Sequence, residues 1–216
     1  MKEIREDNYE ICYKNLCKKF GERHPEEVAE KSGAQYDSEK GEFILTYFNR
    51  EYIISYPQGH ISLKNEKDNT FSKDKNVLFD KILIMSYLCR CSNSKLSNKW
   101  VPYREIKGVG DTYNFFADRG MKRLAEFFGN KGELFLKAGI DMGGKKVDFG
   151  DLGLQLNVFP KVPVILILWL ADEEFGASAN ILFDSSASEQ VHIEDLASLC
   201  PKAAEKLIER AEEILK

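Results

Sequence analysis

The stretch Phe159-Pro-Lys-Val-Pro-Val-Ile-Leu-Ile-Leu-Trp-Leu-Ala-Asp-Glu-Glu-Phe-Gly176 decides the reading of this chain, because an unbroken apolar run discharges into three consecutive carboxylates. Val164 to Leu170 is apolar at every position, so a strand here has both faces covered by protein. Pro160 and Pro163 have no N–H to give to a ladder and belong where the strand starts. The run is too short to cross a bilayer, which takes about 20 apolar residues. It predicts a buried strand ending at an acidic rim of Asp172, Glu173 and Glu174, with Trp169 just inside as the wall of a ligand pocket.

Working outward, the strand has neighbours in Leu154 to Phe159 and Asn180 to Asp184, and the short links between them favour antiparallel pairing. An earlier strand group starts at Glu42-Phe-Ile-Leu-Thr-Tyr-Phe48, turns at Asn49-Arg50 and returns as Glu51-Tyr-Ile-Ile-Ser-Tyr56. Pro57-Gln-Gly59 makes another turn before His60-Ile-Ser-Leu63, which gives a meander over 42–63. Helical spacing puts Tyr9, Cys12, Tyr13, Leu16 and Phe20 on one face of a helix from Arg5 to Phe20 that Gly21 ends. Pro25 opens a shorter helix that carries Val28 and Ala29 inward and stops at Ser32-Gly33.

Lys64 to Lys75 is polar and reads as a loop. Val77 to Cys89 is apolar on all sides, as a buried helix would be. Tyr113, Phe116, Ala117, Gly120, Met121, Leu124, Phe127 and Phe128 follow helical steps, with Asp111 as the N-cap. Gly120 on that apolar stripe predicts a neighbour at close range. Glycines from 139 to 153 punctuate the chain, and a last amphipathic helix opens at Pro201. Helices, strands, helices, strands and a helix make an α+β order with mainly antiparallel strands, not a repeating βαβ one.

At 216 residues, 43% apolar and 31% charged, the chain suits a soluble globular protein, with one domain over 1–216 as the expectation. A net charge of −4 from 31 basic and 35 acidic side chains leaves no electrostatic footprint for nucleic acid or an anionic membrane. The N-terminus Met-Lys-Glu-Ile-Arg-Glu-Asp-Asn has no apolar signal core, so the expected location is the cytoplasm. An odd five cysteines agree with a reducing compartment. Cys12 with Cys17, and Cys89 with Cys91, do not follow zinc or iron–sulfur spacing, so no metal is expected on them.

The chemistry-bearing residues form two acidic groups, because antiparallel strands would put Asp172 and Asp184 at opposite ends. Oxygen ligands for a hard cation, or a carboxylate tuned for acid–base work, is one reading; caps and solvated strand ends is the other. Asp184, His192, Glu194 and Asp195 are the weaker metal-ligand candidates, His192 being the histidine nearest to carboxylates. Gly108-Val-Gly110 lacks the third glycine of a dinucleotide fingerprint, and a hairpin turn explains Gly143-Gly-Lys-Lys146 better than a phosphate loop does. Arg104, Arg119 and Arg123 bracket the Gly108 loop and its helix and offer bidentate contacts to an anionic ligand.

Taken together, Phe159-Pro-Lys-Val-Pro-Val164, Trp169-Leu-Ala-Asp-Glu-Glu-Phe175, Ala179-Asn-Ile-Leu-Phe-Asp184 and Glu194-Asp-Leu196 resemble the signature of a family of uncharacterised proteins from anaerobic bacteria and archaea, described as a domain of unknown function. Ile82 to Leu88, Trp100-Val-Pro-Tyr-Arg-Glu-Ile106, Tyr113 and Phe116 are similar to its middle segment, so the resemblance spans nearly the whole chain. It implies an accessory role in anaerobic metabolism near a corrinoid or metal cofactor. Some relatives carry an added cysteine-rich iron–sulfur segment, which this chain lacks.

The leading expectation is a non-catalytic protein that binds a small molecule or protein partner beside Trp169 and Asp172 to Glu174, with Arg104 and Arg119 as further ligand contacts. The alternative is an enzyme using Asp172, Glu174 or Asp184 as acid, base or metal ligand. A desolvated carboxylate near Arg104 or Arg119 would favour the enzyme, and a flat solvated rim the binder. A structural oligomer is a third reading, marked by an apolar patch at Phe115 or Tyr103.

Overall fold

A computed structural model describes residues 2–64, 75–109 and 114–216 of the chain. The expected loop from 64 to 75 lies largely outside the described residues, as do Gly110, the expected cap Asp111, and Tyr113. The chain divides into two compact units, Met1–Ser94 with Glu189–His192, and Lys95–Ser188 with Ile193–Lys216.

In the first unit, helices α1 (Lys2–Gly21) and α2 (Pro25–Ser32) precede four strands, β1 (Gln35–Asp37), β2 (Glu42–Tyr47), β3 (Arg50–Ser55) and β4 (Ile61–Leu63), and helix α3 (Lys75–Arg90) follows. The strands pair in chain order, all antiparallel, as the expected meander with β1 added at its edge. Pro25 opens α2, and Gly33 closes it in the left-handed region at φ 73°, donating its N–H to the Ala29 carbonyl at 2.9 Å. The hairpin turn falls one residue earlier than expected, on Phe48 and Asn49 at φ 46° and 59°. A two-residue hairpin loop with positive φ at both positions matches the twist of its strands. Phe48 takes up that uncommon conformation with its ring buried, edge-on to Tyr47 at 4.7 Å.

Phe43, Leu45 and Tyr47 of β2 and Tyr52 and Ile54 of β3 bury one face of this sheet. Phe20 of α1 meets Phe43 edge-on, and the Tyr47 hydroxyl donates to the buried Asp80 of α3 at 3.0 Å. Helix α3 is buried around most of its circumference, as its sequence predicts, and the Tyr87 hydroxyl ties it to the Ser32 carbonyl at 2.6 Å. The inward face of α1 is narrower than its spacing suggests: Tyr13, Leu16, Cys17 and Phe20 turn in, whereas Tyr9 and Cys12 stay exposed.

The second unit is built on a five-stranded antiparallel sheet of order β5-β9-β8-β7-β6, namely β5 (Trp100–Pro102), β9 (Ser178–Asp184), β8 (Val162–Trp169), β7 (Leu152–Phe159) and β6 (Lys145–Val147). Helices α4 (Asn114–Phe128), α5 (Gly132–Asp141) and α7 (Ile193–Ile214) accompany it, with a 3₁₀ turn at Tyr103–Glu105; of the short α6 (Ala187–Gln190), only Ala187 and Ser188 belong to this unit. The opening apolar run is the central strand β8, buried at every position from Val162 to Leu168. Pro163 pairs with Asn157 where the β7–β8 register shifts, which is where a central strand tolerates a missing N–H.

Helix α5, strands β5 and β6, the 3₁₀ turn and α6 are elements that sequence reading missed. Gly143 and Gly144 are not a hairpin turn: their N–H groups cap the end of α5 on the Ile140 and Gly139 carbonyls at 2.9 Å each, and Lys145 begins β6. The last helix starts at Ile193, so Pro201 lies inside it and does not open it. Gly120 meets the close neighbour that its place on the stripe predicts. A Cβ there would stand 2.6 Å from the Pro201 nitrogen and 2.8 Å from the Cys200 carbonyl carbon, so α4 and α7 touch backbone to backbone.

Candidate functional site

Pairing directions decide which side chains meet. Because β9 runs against both β8 and β5, the end of β8 at Trp169, the start of β9 at Ser178 and the end of β5 at Pro102 share one end of the sheet. Asp184 is paired with Trp100 at the other end. Asp172 and Asp184 therefore do not form one cluster.

At the first end an open depression of about 610 Å³ is lined by Asp151, Trp169, Leu170, Asp172, Phe175 and Gly176, among others. Its backbone is well fixed for an exposed segment. The Asp151 carboxylate accepts the Leu170 N–H at 2.8 Å, and the Ala171 N–H reaches the Gly129 carbonyl at 3.3 Å. Asp172 Oδ1 accepts the N–H groups of Glu174 at 2.8 Å and Phe175 at 2.6 Å, while the Asp172 N–H returns to the Phe175 carbonyl at 3.0 Å. These N–H donors, Phe175 first and then Glu174, hold the Asp172 carboxyl below the usual carboxylate range. The turn projects Phe175 into solvent at 70% exposure beside Trp169 at 38% and Leu170 at 37%. Asp172, Glu173 and Glu174 are all exposed, so the rim is solvated.

At the opposite end, Asp184 is 1% exposed and accepts five hydrogen bonds. They come from the N–H and hydroxyl of Ser97 at 3.0 and 2.8 Å, the Asn98 N–H at 2.7 Å, and the N–H and hydroxyl of Ser186 at 2.9 and 2.6 Å. Burial pushes its carboxyl up, but the Ser186 and Ser97 donors together outweigh that and hold it low. It is a structural acceptor that ties the 97–98 segment to the end of β9. Glu194 and Asp195 sit in the first turn of α7, where acids favour the helix dipole, and His192 is exposed just before it. Among the described residues no group of three or more His, Cys, Asp or Glu side chains could hold a metal ion.

Arg104 and Arg119 do not line the rim. Arg104 borders a separate cleft of about 310 Å³ with Pro102, Tyr103, Ala117, Asp118, Met121, Asn180 and Ile181, and Arg119 is exposed on α4 without lining either space. Sequence reasoning missed Asp151 and Phe175 at the rim, and Asp118 and Asn180 in the cleft. Asp151 was hidden in glycine-rich punctuation, and Asp118 among the ordinary charges of an amphipathic helix. Of the residues that would mark a structural oligomer, Tyr103 is buried, whereas Phe115 is 68% exposed.

A domain of unknown function, DUF3786, matches residues 24–206. The chain belongs to that family. No curated protein and no solved structure matches the chain. Among the described residues, no helix is long and apolar enough to cross a membrane.

Proposed function

We propose that this is a non-catalytic binding protein whose rim at the end of β8 docks a protein segment carrying basic and apolar side chains. The observation that carries this reading is Phe175, an aromatic ring 70% exposed on a turn that Asp172 fixes. A large exposed ring on a rigid turn costs little conformational entropy when it is buried by a partner. Trp169 and Leu170 extend the apolar centre, while Asp151, Asp172, Glu173 and Glu174 set a negative border, so the complement is apolar and positively charged. The acid–base alternative has less support, because Asp172 and Asp184 are both held low by hydrogen bonds, the reverse of what a general acid needs at neutral pH.

The resemblance supplies the setting: an accessory protein of anaerobic metabolism. A metal centre of the chain's own does not fit the described residues, for want of a ligand cluster. A partner that carries the cofactor fits better.

The test uses Trp169 as reporter in a Trp100→Phe background. A short peptide alternating Lys with Leu and Phe is titrated against its Glu-for-Lys counterpart. Saturable, salt-sensitive change with the basic peptide alone is expected, weakened about tenfold or more by Phe175→Ser and by Asp172→Ala, which frees the turn. Equal response to both peptides, or to neither, would refute the reading.

A further inference from the structure

We infer that the cleft between the 3₁₀ turn, β9 and α4 binds a small zwitterion, a free α-amino acid. Arg104 and Asn180 would receive its carboxylate and Asp118 its ammonium group. This goes beyond the rim, since it uses other residues and another class of ligand.

Arg104 and Asp118 line the same cleft with opposite charges. Among the described residues, neither has a hydrogen-bond or ion-pair partner. Asn180 accepts the Ile181 N–H on its Oδ1 at 2.8 Å, which leaves its amide nitrogen to donate. The floor is well packed, with Ala117, Met121 and Ile181 at 7%, 6% and 1% exposure, so the surface offered to a ligand is mainly polar. At about 310 Å³ the space takes an amino acid with a side chain the size of leucine.

Charge excludes the simpler ligands. An anion would meet Arg104 but be repelled by Asp118, and a cation would meet the reverse. A neutral apolar molecule would desolvate both charges without pairing either. A zwitterion satisfies the two together.

The charges also stand on fixed elements, as selective recognition requires. The 3₁₀ turn is anchored by the Tyr103 hydroxyl on the Ile193 carbonyl at 3.0 Å and by the Ile106 N–H on the Tyr103 carbonyl at 3.1 Å. Asp118 is two residues from Gly120, where α4 is seated on α7. Both charged heads are exposed at the mouth and stay partly hydrated, so affinity should be modest, with Kd about 0.1–1 mM.

The experiment is calorimetric titration of the full chain with L-leucine, L-leucinamide and N-acetyl-L-leucine. L-Leucine should bind, and the amide and the acetylated form should each bind at least about tenfold more weakly. Arg104→Gln should weaken L-leucine about tenfold while leaving leucinamide unchanged, and Asp118→Asn should do the same with N-acetyl-leucine as the unaffected probe. A fold defect would weaken all three probes alike, so this crossed pattern is the signature. Absence of saturable L-leucine binding at about 10 mM, equal binding of the three probes, or unchanged L-leucine affinity in both variants would overturn the inference.

Discussion

The Asp172 carboxylate holds its own turn, whereas that of Asp184 joins two distant segments, and the difference follows from their donors. Asp172 takes N–H groups two and three residues ahead, the common habit of an aspartate in a turn, and stays in water. Asp184 takes donors from Ser97 and Asn98, more than eighty positions back, and is buried by them. Removing Asp184 takes the acceptor from five hydrogen bonds, the buried N–H and hydroxyl of Ser186 among their donors, so Asp184→Ala should cost about 3 kcal/mol in urea unfolding. The pH dependence has a definite sign. With its folded pKa lowered, Asp184 contributes stability that is complete above the unfolded carboxylate range near about pH 4 and is lost as pH falls through the folded value. The stability gap between wild type and Asp184→Asn should therefore be full at neutral pH and narrow on acidification; a gap independent of pH would contradict this assignment.

Elements were legible where local rules coincide with burial. Pro25 and Gly33 bracket α2 because a fixed φ starts a helix and a left-handed residue ends one. The apolar run is a central strand because only a doubly covered strand can bury every position from Val162 to Leu168; its last two residues, Trp169 and Leu170, instead emerge at the rim. Local rules misled where tertiary contacts overrode them. Pro201 favours a helix start, yet α7 runs through it because Leu196, Ala197, Leu199, Cys200, Ala203 and Ala204 bury a continuous face on both sides of it. Helix α5 escaped because Gly139, inside it, read as the start of punctuation; Phe135 and Ala138, three apart and both buried, were the available signal.

Gly120 is the sharpest test at this scale. Helix propensity alone says that Gly120→Ala should stabilise α4 by about 1 kcal/mol. The Pro201 and Cys200 backbone atoms at 2.6–2.8 Å from the added Cβ say the opposite, because backbone cannot swing away as a flexible side chain can. A loss of about 2–4 kcal/mol is expected in thermal or urea unfolding. Gly176→Ala, with open space around it, should leave stability unchanged.

For the molecule as a whole, the sequence carried the α+β class, the strand directions and the separation of the acids, because these follow from periodicity and loop length. It carried the rim only in outline. Trp169 and Asp172 were legible as the end of a strand, but the exposure of Phe175 depends on hydrogen bonds within its own turn, and no periodicity reports those. Arg104 was legible as a candidate but not its company in the cleft, because Asp118 and Asn180 come from a helix and a strand far apart in the chain.

The central claim, that the rim is a docking surface, is tested most directly in the native host by replacing Phe175 with the photo-crosslinker p-benzoylphenylalanine. Phe115, exposed on α4, serves as the control position. The account predicts one discrete adduct at position 175, absent at 115, with the crosslinked segment rich in lysine or arginine and apolar residues. No adduct at 175, or the same adducts from both positions, would contradict it.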